Sequence, residues 1–434
     1  RGRPLVDMAV LQGRYAPPVS GLSAANNGSG EEDAFVNENY PVWSHTGNER
    51  WSWGYRQCEK GLHLLETLSP GIFLTPLNQQ PEKTRKFFSG SPFGEYDFLP
   101  VEAPGDVMGN YRLILMLDWH TMEEDGEEDD YHKLLEYVRQ GGVLFLSVPH
   151  LTTRTDREFL ADMDNLRLYA GGDVQALCGV SVRGKSSAAL SEIRSVEGWL
   201  EAAPGPVSDA IRLPNTDKDE DGPCRLADIQ LQGAEPVLID KDTGRPVLVR
   251  HTVGKGWVYL LCTYAYPGHE ALKEWMPRVL LRLLDLYGSK RLTLEGERRD
   301  VYWSLWGENG QADKVYLLNT DWTRVGNEKQ IALVTPSARM EVPVREGAMR
   351  EISLFEGGFC WAEDSAVSIT RISSGEIETD YQVCAMEDTV LRFSASRPVM
   401  VTAGEESRVI KGEAEWKLDF PKAEPVFLRI RPVK

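Results

Sequence analysis

Two almost continuously apolar runs on either side of an amphipathic segment constrain the fold more than any other feature. The runs are YRLILMLDW (111–119) and VLFLSV (143–148), and uninterrupted apolar strands of this kind are typical of parallel sheets covered on both faces. Between them, four apolar residues of DDYHKLLEYVRQGG follow helical spacing, and Gly141 ends the helix. The order strand, helix, strand predicts a βαβ unit and therefore an α/β domain.

From about residue 291 onward the helical periodicity disappears. Short runs such as DVYWSLWG, DKVYLLNTDW and EKQIALVTP recur every ~8 to 12 residues between polar or glycine-containing turns, which is typical of an antiparallel sandwich. We therefore expect an α/β flavodoxin-like domain over residues 1–290 and an all-β sandwich domain over residues 291–434.

Composition narrows the classes of partner. The 434 residues carry a net charge of −18, and nucleic acid is not expected as a partner because phosphate binding needs a concentrated basic surface. No apolar stretch approaches the roughly 20 residues that span a membrane, so no membrane partner is expected. The chain starts without methionine, and we expect it to be a C-terminal portion of a longer protein.

The six cysteines are far apart and form no Cys-x-x-Cys pair. We expect structural free thiols, which fits a reducing, cytoplasmic location. Cys262 and Cys384 lie in apolar strand-like runs, where a buried thiol behaves as a small hydrophobe.

The turn after the run at 143–148 is where a catalytic α/β domain would present a nucleophile, since ligands gather at the carboxyl ends of such strands. Here Pro149 and His150 follow, Ser147 is expected inside the strand, and no Gly-x-Ser-x-Gly or Gly-x-Cys-x-Gly elbow occurs. His120 follows the preceding strand, so it should lie near the same edge as His150. The two histidines either line a cleft with polar groups or form hydrogen bonds to the backbone. The hydrogen-bonded alternative is favoured, because neither histidine has a nucleophile or an acidic partner at a diagnostic spacing.

Four sequence segments resemble those of a known family: VDMAVLQGRY, GEYDFLPVEAPGDVMGNYRLILML, YHKLLEYVRQGGVLFLSV and GRPVLVRHTVGKGWVYLLCTYAY. With the order of elements, they resemble the C-terminal half of glycoside hydrolases like the family 42 β-galactosidases. In those enzymes a catalytic (β/α)8 barrel precedes a domain with the class I glutamine amidotransferase fold, which mediates trimerisation, and a small β-domain follows. The resemblance covers roughly residues 1–290, and the β-domain by position only.

The resemblance implies a non-catalytic scaffold portion of a carbohydrate-active enzyme and a homo-oligomer, namely a trimer. Such amidotransferase-like domains have lost their cysteine, and the catalytic carboxylates would lie on a barrel outside this chain. No spacing among its 66 acidic residues singles out a catalytic pair. Two alternatives stay open. One is a stand-alone carbohydrate-binding or scaffold protein, and the other is an enzyme with an unconventional site, which the reactivity of Cys178 or Cys262 would reveal.

An aromatic cluster in YPVWSHTGNERWSWGY (40–55) is the candidate carbohydrate contact. Aromatic rings stack on the apolar C–H face of sugars, although an interface or a loop core would use the same residues. The candidate residues are Trp43, Trp51, Trp53 and Tyr55. Trp303 and Trp306 in VYWSLW are instead expected to pack within the sheet.

The segment DKDEDGPCRLAD (217–228) matches the D-x-D-x-D-G calcium-loop pattern, except that Asp replaces the closing Glu. Carboxylates at alternate positions and a glycine at the bend can supply most of the hard oxygen ligands that Ca²⁺ requires. The alternative is a solvated acidic loop, because no flanking EF-hand helices are evident and Asp reaches less far than Glu. The predicted ligands are Asp217, Asp219, Asp221, Pro223 through its carbonyl, and Asp228.

Overall fold

The structure is a computed structural model. It describes residues 2–13, 60–61, 64, 93–117, 120, 122, 129–153, 166–200, 210–212, 223–272, 274–289, 291–298, 301–308, 310–319, 326–336, 338–362, 366–375, 378–420 and 424–433. The chain divides into two compact units. The N-terminal unit comprises Asp7–Phe87 and Tyr96–Gly288, and the C-terminal unit comprises Arg1–Val6, Phe88–Glu95 and Ser289–Lys434. Among the described residues, no helix has the length and apolar character needed to cross a membrane.

A run of parallel strands forms the centre of the N-terminal unit. The strands are β2 (Met8–Gln12), β3 (Tyr96–Pro100), β4 (Leu113–Met116), β5 (Val143–Ser147) and β12 (Gly256–Leu261). They lie in the order β3-β2-β4-β5-β12, and each neighbouring pair is parallel. β4 and β5 correspond to the two apolar runs, and every residue in both is buried.

The helices of this unit connect or follow those strands. They are α1 (Gly105–Met108), α2 (Asp130–Arg139), α3 (Gln175–Cys178) and α4 (Met276–Tyr287). α2 links β4 to β5, as the sequence predicts. Its first turn is capped by the Asp129 carboxylate, which accepts a hydrogen bond from the Tyr131 N–H at 2.7 Å. The helix ends before Gly141, whose φ of +121° favours glycine.

The sheet continues beyond β12 with antiparallel strands. These are β11 (Pro246–Val253), β10 (Glu235–Asp240), β7 (Glu192–Ser195) and β8 (Ala210–Arg212). A separate pair joins β6 (Val180–Ala189) to β9 (Arg225–Leu231). Most of these strands lie in a region whose sequence pattern is irregular. β6 shows why, because its residues mix buried, intermediate and exposed positions, and its pairing with β9 shifts register twice.

All elements described in the C-terminal unit are strands. They are β1 (Arg3–Pro4), β13 (Thr293–Gly296), β14 (Val301–Glu308), β15 (Gln311–Asn319), β16 (Glu328–Thr335), β17 (Ala338–Arg345), β18 (Met349–Phe355), β19 (Gly358–Ala362), β20 (Ser368–Ser374), β21 (Thr379–Cys384), β22 (Thr389–Ala403), β23 (Glu406–Leu418) and β24 (Val426–Pro432). One sheet is ten-stranded, in the order β1-β14-β15-β18-β19-β22-β24-β21-β20 with β23 on β22, and a second has the order β13-β16-β17.

The two sheets of the C-terminal unit share a core, as in a sandwich. Leu333 and Val342 of the small sheet belong to the same buried cluster as Trp303, Val315 and Ile352 of the large sheet. The long strands β22 and β23 contribute to a second buried cluster. This arrangement agrees with the all-β organisation that the sequence predicts after residue 290.

The Asp240 carboxylate fixes the connection from β10 to β11. Its Oδ1 accepts hydrogen bonds from the N–H and Oγ of Ser191 at 3.0 and 2.9 Å, and its Oδ2 accepts from the N–H and Oγ1 of Thr243 at 2.9 and 2.6 Å. The side chain is buried. Burial opposes ionisation, but these hydrogen bonds outweigh it and hold the pKa of Asp240 below its ordinary value.

We expect Asp240→Asn to lower the free energy of unfolding by about 1.5–3 kcal/mol, because the amide NH₂ would face two donors. A depressed pKa in the folded state stabilises the protein above the unfolded-state value of about 3.9, and this contribution is lost as the pH falls through the folded pKa. The difference in the free energy of unfolding between wild type and variant, measured by urea denaturation, should therefore become smaller below about pH 4. The control is Glu274→Gln, which neutralises an exposed carboxylate elsewhere in the same unit, and an equal loss in both variants would contradict the prediction.

Candidate functional site

The carboxyl ends of the parallel strands are the candidate site, because ligands of open α/β sheets bind there. β5 ends at Ser147, and a short 3₁₀ turn, Val148–Leu151, follows it. Pro149 suits this position, since its fixed φ is compatible with the first turn of a helix. Every residue of the turn is buried. The strand therefore leads into a packed turn.

Ser147 and His150 bond to each other within this turn. The Ser147 backbone N–H donates to His150 Nδ1 at 2.8 Å, and Ser147 Oγ lies 2.9 Å from the same nitrogen. Both side chains are fully buried. In an open cleft, a hydroxyl beside an imidazole could act as an activated nucleophile. Here Nδ1 already accepts a backbone hydrogen bond and neither side chain reaches solvent, so the pair caps the turn.

His120 lies at the same edge, as predicted, and Tyr266 connects it to His150. The Tyr266 hydroxyl donates to the His120 carbonyl oxygen at 3.4 Å, and its ring meets the His150 imidazole edge-on, with 5.0 Å between ring centroids. The segments after β4 and β5 are joined by the Met122 N–H, which donates to the Thr152 carbonyl at 2.7 Å. All five residues are buried. This geometry favours structural histidines over a polar pair in a cleft.

Sequence reasoning favoured a backbone hydrogen bond for His150, which the Ser147 N–H provides, but it did not identify Ser147 as the partner or the capping of the turn. A signal was present, because Ser147 precedes His150 by three residues and Pro149 lies between them. That spacing is the one at which a first-turn side chain returns to the capping residue.

Cys178 and Cys262 are free thiols in the core of the N-terminal unit. Burial raises the pKa of both thiols well above the ordinary value. A thiol that stays protonated is a poor nucleophile, which agrees with the predicted structural role.

The expectation of a buried thiol is wrong for Cys384, which is exposed. Side chains alternate between the two faces of a strand. Tyr381 and Val383 of β21 are buried, whereas the last residue of the strand is exposed. The apolar run therefore identified the strand correctly but placed its final residue on the wrong face.

The other predicted site residues are distributed as follows. The aromatic candidates and three of the calcium candidates lie outside the described residues: Trp43, Trp51, Trp53, Tyr55, Asp217, Asp219 and Asp221. Pro223 is exposed. Asp228 lies on β9, with its Oδ1 3.3 Å from Nη1 of Arg245. Within the described part of the chain, no three His, Cys, Asp or Glu side chains are grouped to hold a metal ion.

Comparisons with known proteins give structural alignments only. No family model matches the chain, and no curated protein matches it. A β-galactosidase from Bacillus circulans sp. alkalophilus aligns with 99% of this chain and 42% of its own, at 12% identity and a TM-score of 0.36. A β-galactosidase from Rahnella sp. R3 aligns with 81% of this chain and 42% of its own, at 11% identity and a TM-score of 0.40.

A third aligned structure is a catalytic mutant of a GH42 β-galactosidase from G. stearothermophilus. It covers 99% of this chain and 40% of its own, at 11% identity and a TM-score of 0.33. The chain thus spans about two fifths of the length of each of these proteins. With TM-scores this low, the alignments establish neither the fold nor the function of the chain.

Thiol labelling should distinguish the cysteines by burial. We expect a maleimide to modify Cys384 in the folded protein, while Cys178 and Cys262 react only after denaturation, because their thiols are buried and protonated. Mass spectrometry of the digested protein would assign each modification. Rapid labelling of either buried cysteine at neutral pH would contradict this prediction and revive the alternative of an unconventional active site.

Proposed function

We propose that this chain is the non-catalytic assembly portion of a carbohydrate-active glycoside hydrolase of the β-galactosidase-like kind. The observation that carries the proposal is the closed turn after β5. A catalytic domain of this architecture would present its nucleophile there, but Ser147 and His150 bond to each other and are fully buried. The family resemblance of the sequence supplies the enzyme class.

An amidotransferase-like fold for the N-terminal unit is the second part of the proposal. In chain order, β3-β2-β4-β5-β12 are the second, first, third, fourth and fifth parallel strands. This is the strand order 2-1-3-4-5 of flavodoxin-like proteins. The antiparallel strands beyond β12 extend the sheet on one side without changing that order.

The assembly is proposed to be a homotrimer with the N-terminal unit as the contact surface, and the sequence resemblance supports this part. The alternative is a stand-alone carbohydrate-binding or scaffold protein that never had a barrel. Reading the coding sequence upstream of Arg1 would separate the two, since a segment encoding a (β/α)8 barrel is expected only for the first.

The purified chain should be trimeric and should hydrolyse no chromogenic glycoside, because the catalytic carboxylates would belong to a barrel outside it. Light scattering at micromolar concentration gives the mass, and a panel of nitrophenyl glycosides gives the turnover.

Two results would contradict this proposal. A monomer mass would count against the assembly role. Turnover that is abolished by mutating an acidic residue of this chain would count against the non-catalytic role.

Calcium binding by the loop 217–228 is a separate proposal, supported by the spacing of its carboxylates. Asp228 would have to exchange its contact with Arg245 for the ion. Calorimetric titration of the chelator-treated protein should show one site that is lost in Asp219→Ala. Glu220→Gln removes a neighbouring charge at a position that the pattern does not use as a ligand, and it should keep the site. No binding at millimolar calcium would leave a solvated acidic loop.

A further inference from the structure

The C-terminal unit has a groove of about 920 Å³ on its ten-stranded sheet. We propose that this groove, lined by residues of β14, β15, β20 and β21, binds a neutral saccharide. Trp306 would provide the stacking surface, and the pair of Asp313 and Arg371 would hydrogen-bond to the sugar hydroxyls. The inference does not rest on the proposed assembly role, because it concerns the lining of the C-terminal unit alone.

Two aromatic side chains form one wall of the groove. The ring centroids of Trp306 and Tyr316 lie 6.0 Å apart with an angle of 84° between the planes, so the edge of one ring meets the face of the other. Trp306 Nε1 donates to Ser304 Oγ at 2.6 Å, which fixes the orientation of the indole. Both rings are partly exposed. An aromatic ring held in one orientation can stack on a sugar at a small entropic cost.

Trp303 and Trp306 therefore have different environments in the structure, although the sequence predicts sheet packing for both. Trp303 belongs to the core shared by the two sheets, as expected. Trp306 also lies on β14 but lines the groove, so the expectation of sheet packing describes it only in part.

A buried ion pair lies beside the aromatic wall. The pairing of β14 with β15 shifts register after Trp306, and such irregularities redirect side chains. Asp313 lies at this shift, lines the groove and contacts the Arg371 guanidinium; the two side chains are 10% and 15% exposed. Burial raises the pKa of Asp313, and the Arg371 charge opposes this effect. The pair offers acceptors and fork-shaped donors, which suit neighbouring hydroxyl groups.

The balance of charges favours a neutral ligand. The charged lining residues are Glu308, Asp313, Lys314 and Arg371, two of each sign. Lys314 also donates to Glu351 at 2.6 Å, so its ammonium is engaged. An ion of either sign would therefore meet a like charge, whereas a polyhydroxylated ligand can use donors and acceptors together. Gln382 and Ser373 add further hydrogen-bonding groups. The volume falls within the ~300–1,000 Å³ typical of ligand sites.

Calorimetric titration of the full chain with cellobiose, lactose and maltose tests the proposal. We expect at least one of them to bind and to change the tryptophan fluorescence. Trp306→Ala should weaken that binding by about tenfold, as expected for loss of an aromatic contact, whereas Trp306→Phe should retain most of it. Gln382→Ala should weaken binding without loss of the fold. The control is Phe427→Ala, which removes another aromatic side chain of the same unit, 59% exposed on β24.

Three outcomes would overturn the proposal. The first is that none of the disaccharides binds at millimolar concentration. The second is that binding persists unchanged in both Trp306→Ala and Gln382→Ala, which would place the sugar elsewhere in the chain. The third is an equal loss of affinity in Phe427→Ala. Circular dichroism of each variant establishes that the fold is intact, and light scattering on the same samples separates sugar binding from assembly.

Discussion

Burial of the central strands on both faces is the constraint on which the N-terminal unit depends. All residues of β4 and β5 are buried, so apolar cover is needed above and below the sheet. α2 provides part of it, and the contact is close. A Cβ on Gly256 of β12 would lie 2.2 Å from the Val138 carbonyl oxygen and 2.1 Å from that of Gly142. Only glycine allows the strand to approach the end of the helix so closely.

The same burial explains the chemistry of the sheet edge. Because the whole of β5 is buried, the polar side chain at its end has no access to water. A buried polar group without water needs a hydrogen-bond partner within the protein. Ser147 finds it in His150, three residues along the same turn. Tyr266 packs against that imidazole and bonds to the segment after β4. The edge is therefore a closed polar network, and its hydrogen bonds support the turn.

Sequence reasoning succeeded where one periodicity continues long enough to be unambiguous. The apolar runs of β4 and β5, the helical spacing of α2 and the short repeating strands after residue 290 are of this kind. It failed where the environment of a side chain is set by residues that are distant in the sequence. β6 and β9 mix polar and apolar positions because their pairing is irregular, and Cys384 is exposed because it lies on the outer face of β21. The capping bond of His150 also depends on tertiary burial, since the same sequence in an open loop would leave its imidazole in water.

The ion pair in the C-terminal unit differs from the network in the N-terminal unit in the free-energy cost of burying its polar groups. Ser147 and His150 are hydrogen-bonded partners within one turn, whereas Asp313 and Arg371 are charges held largely away from water. Desolvation can cost more than a buried pair regains, and apolar replacements are often neutral or stabilising. Stability alone is therefore a weak reason to keep such a pair beside a groove. Its place next to the oriented indole of Trp306 is better explained by a ligand. A polar ligand in the groove would form hydrogen bonds with donors and acceptors that are already desolvated and ordered in the folded protein.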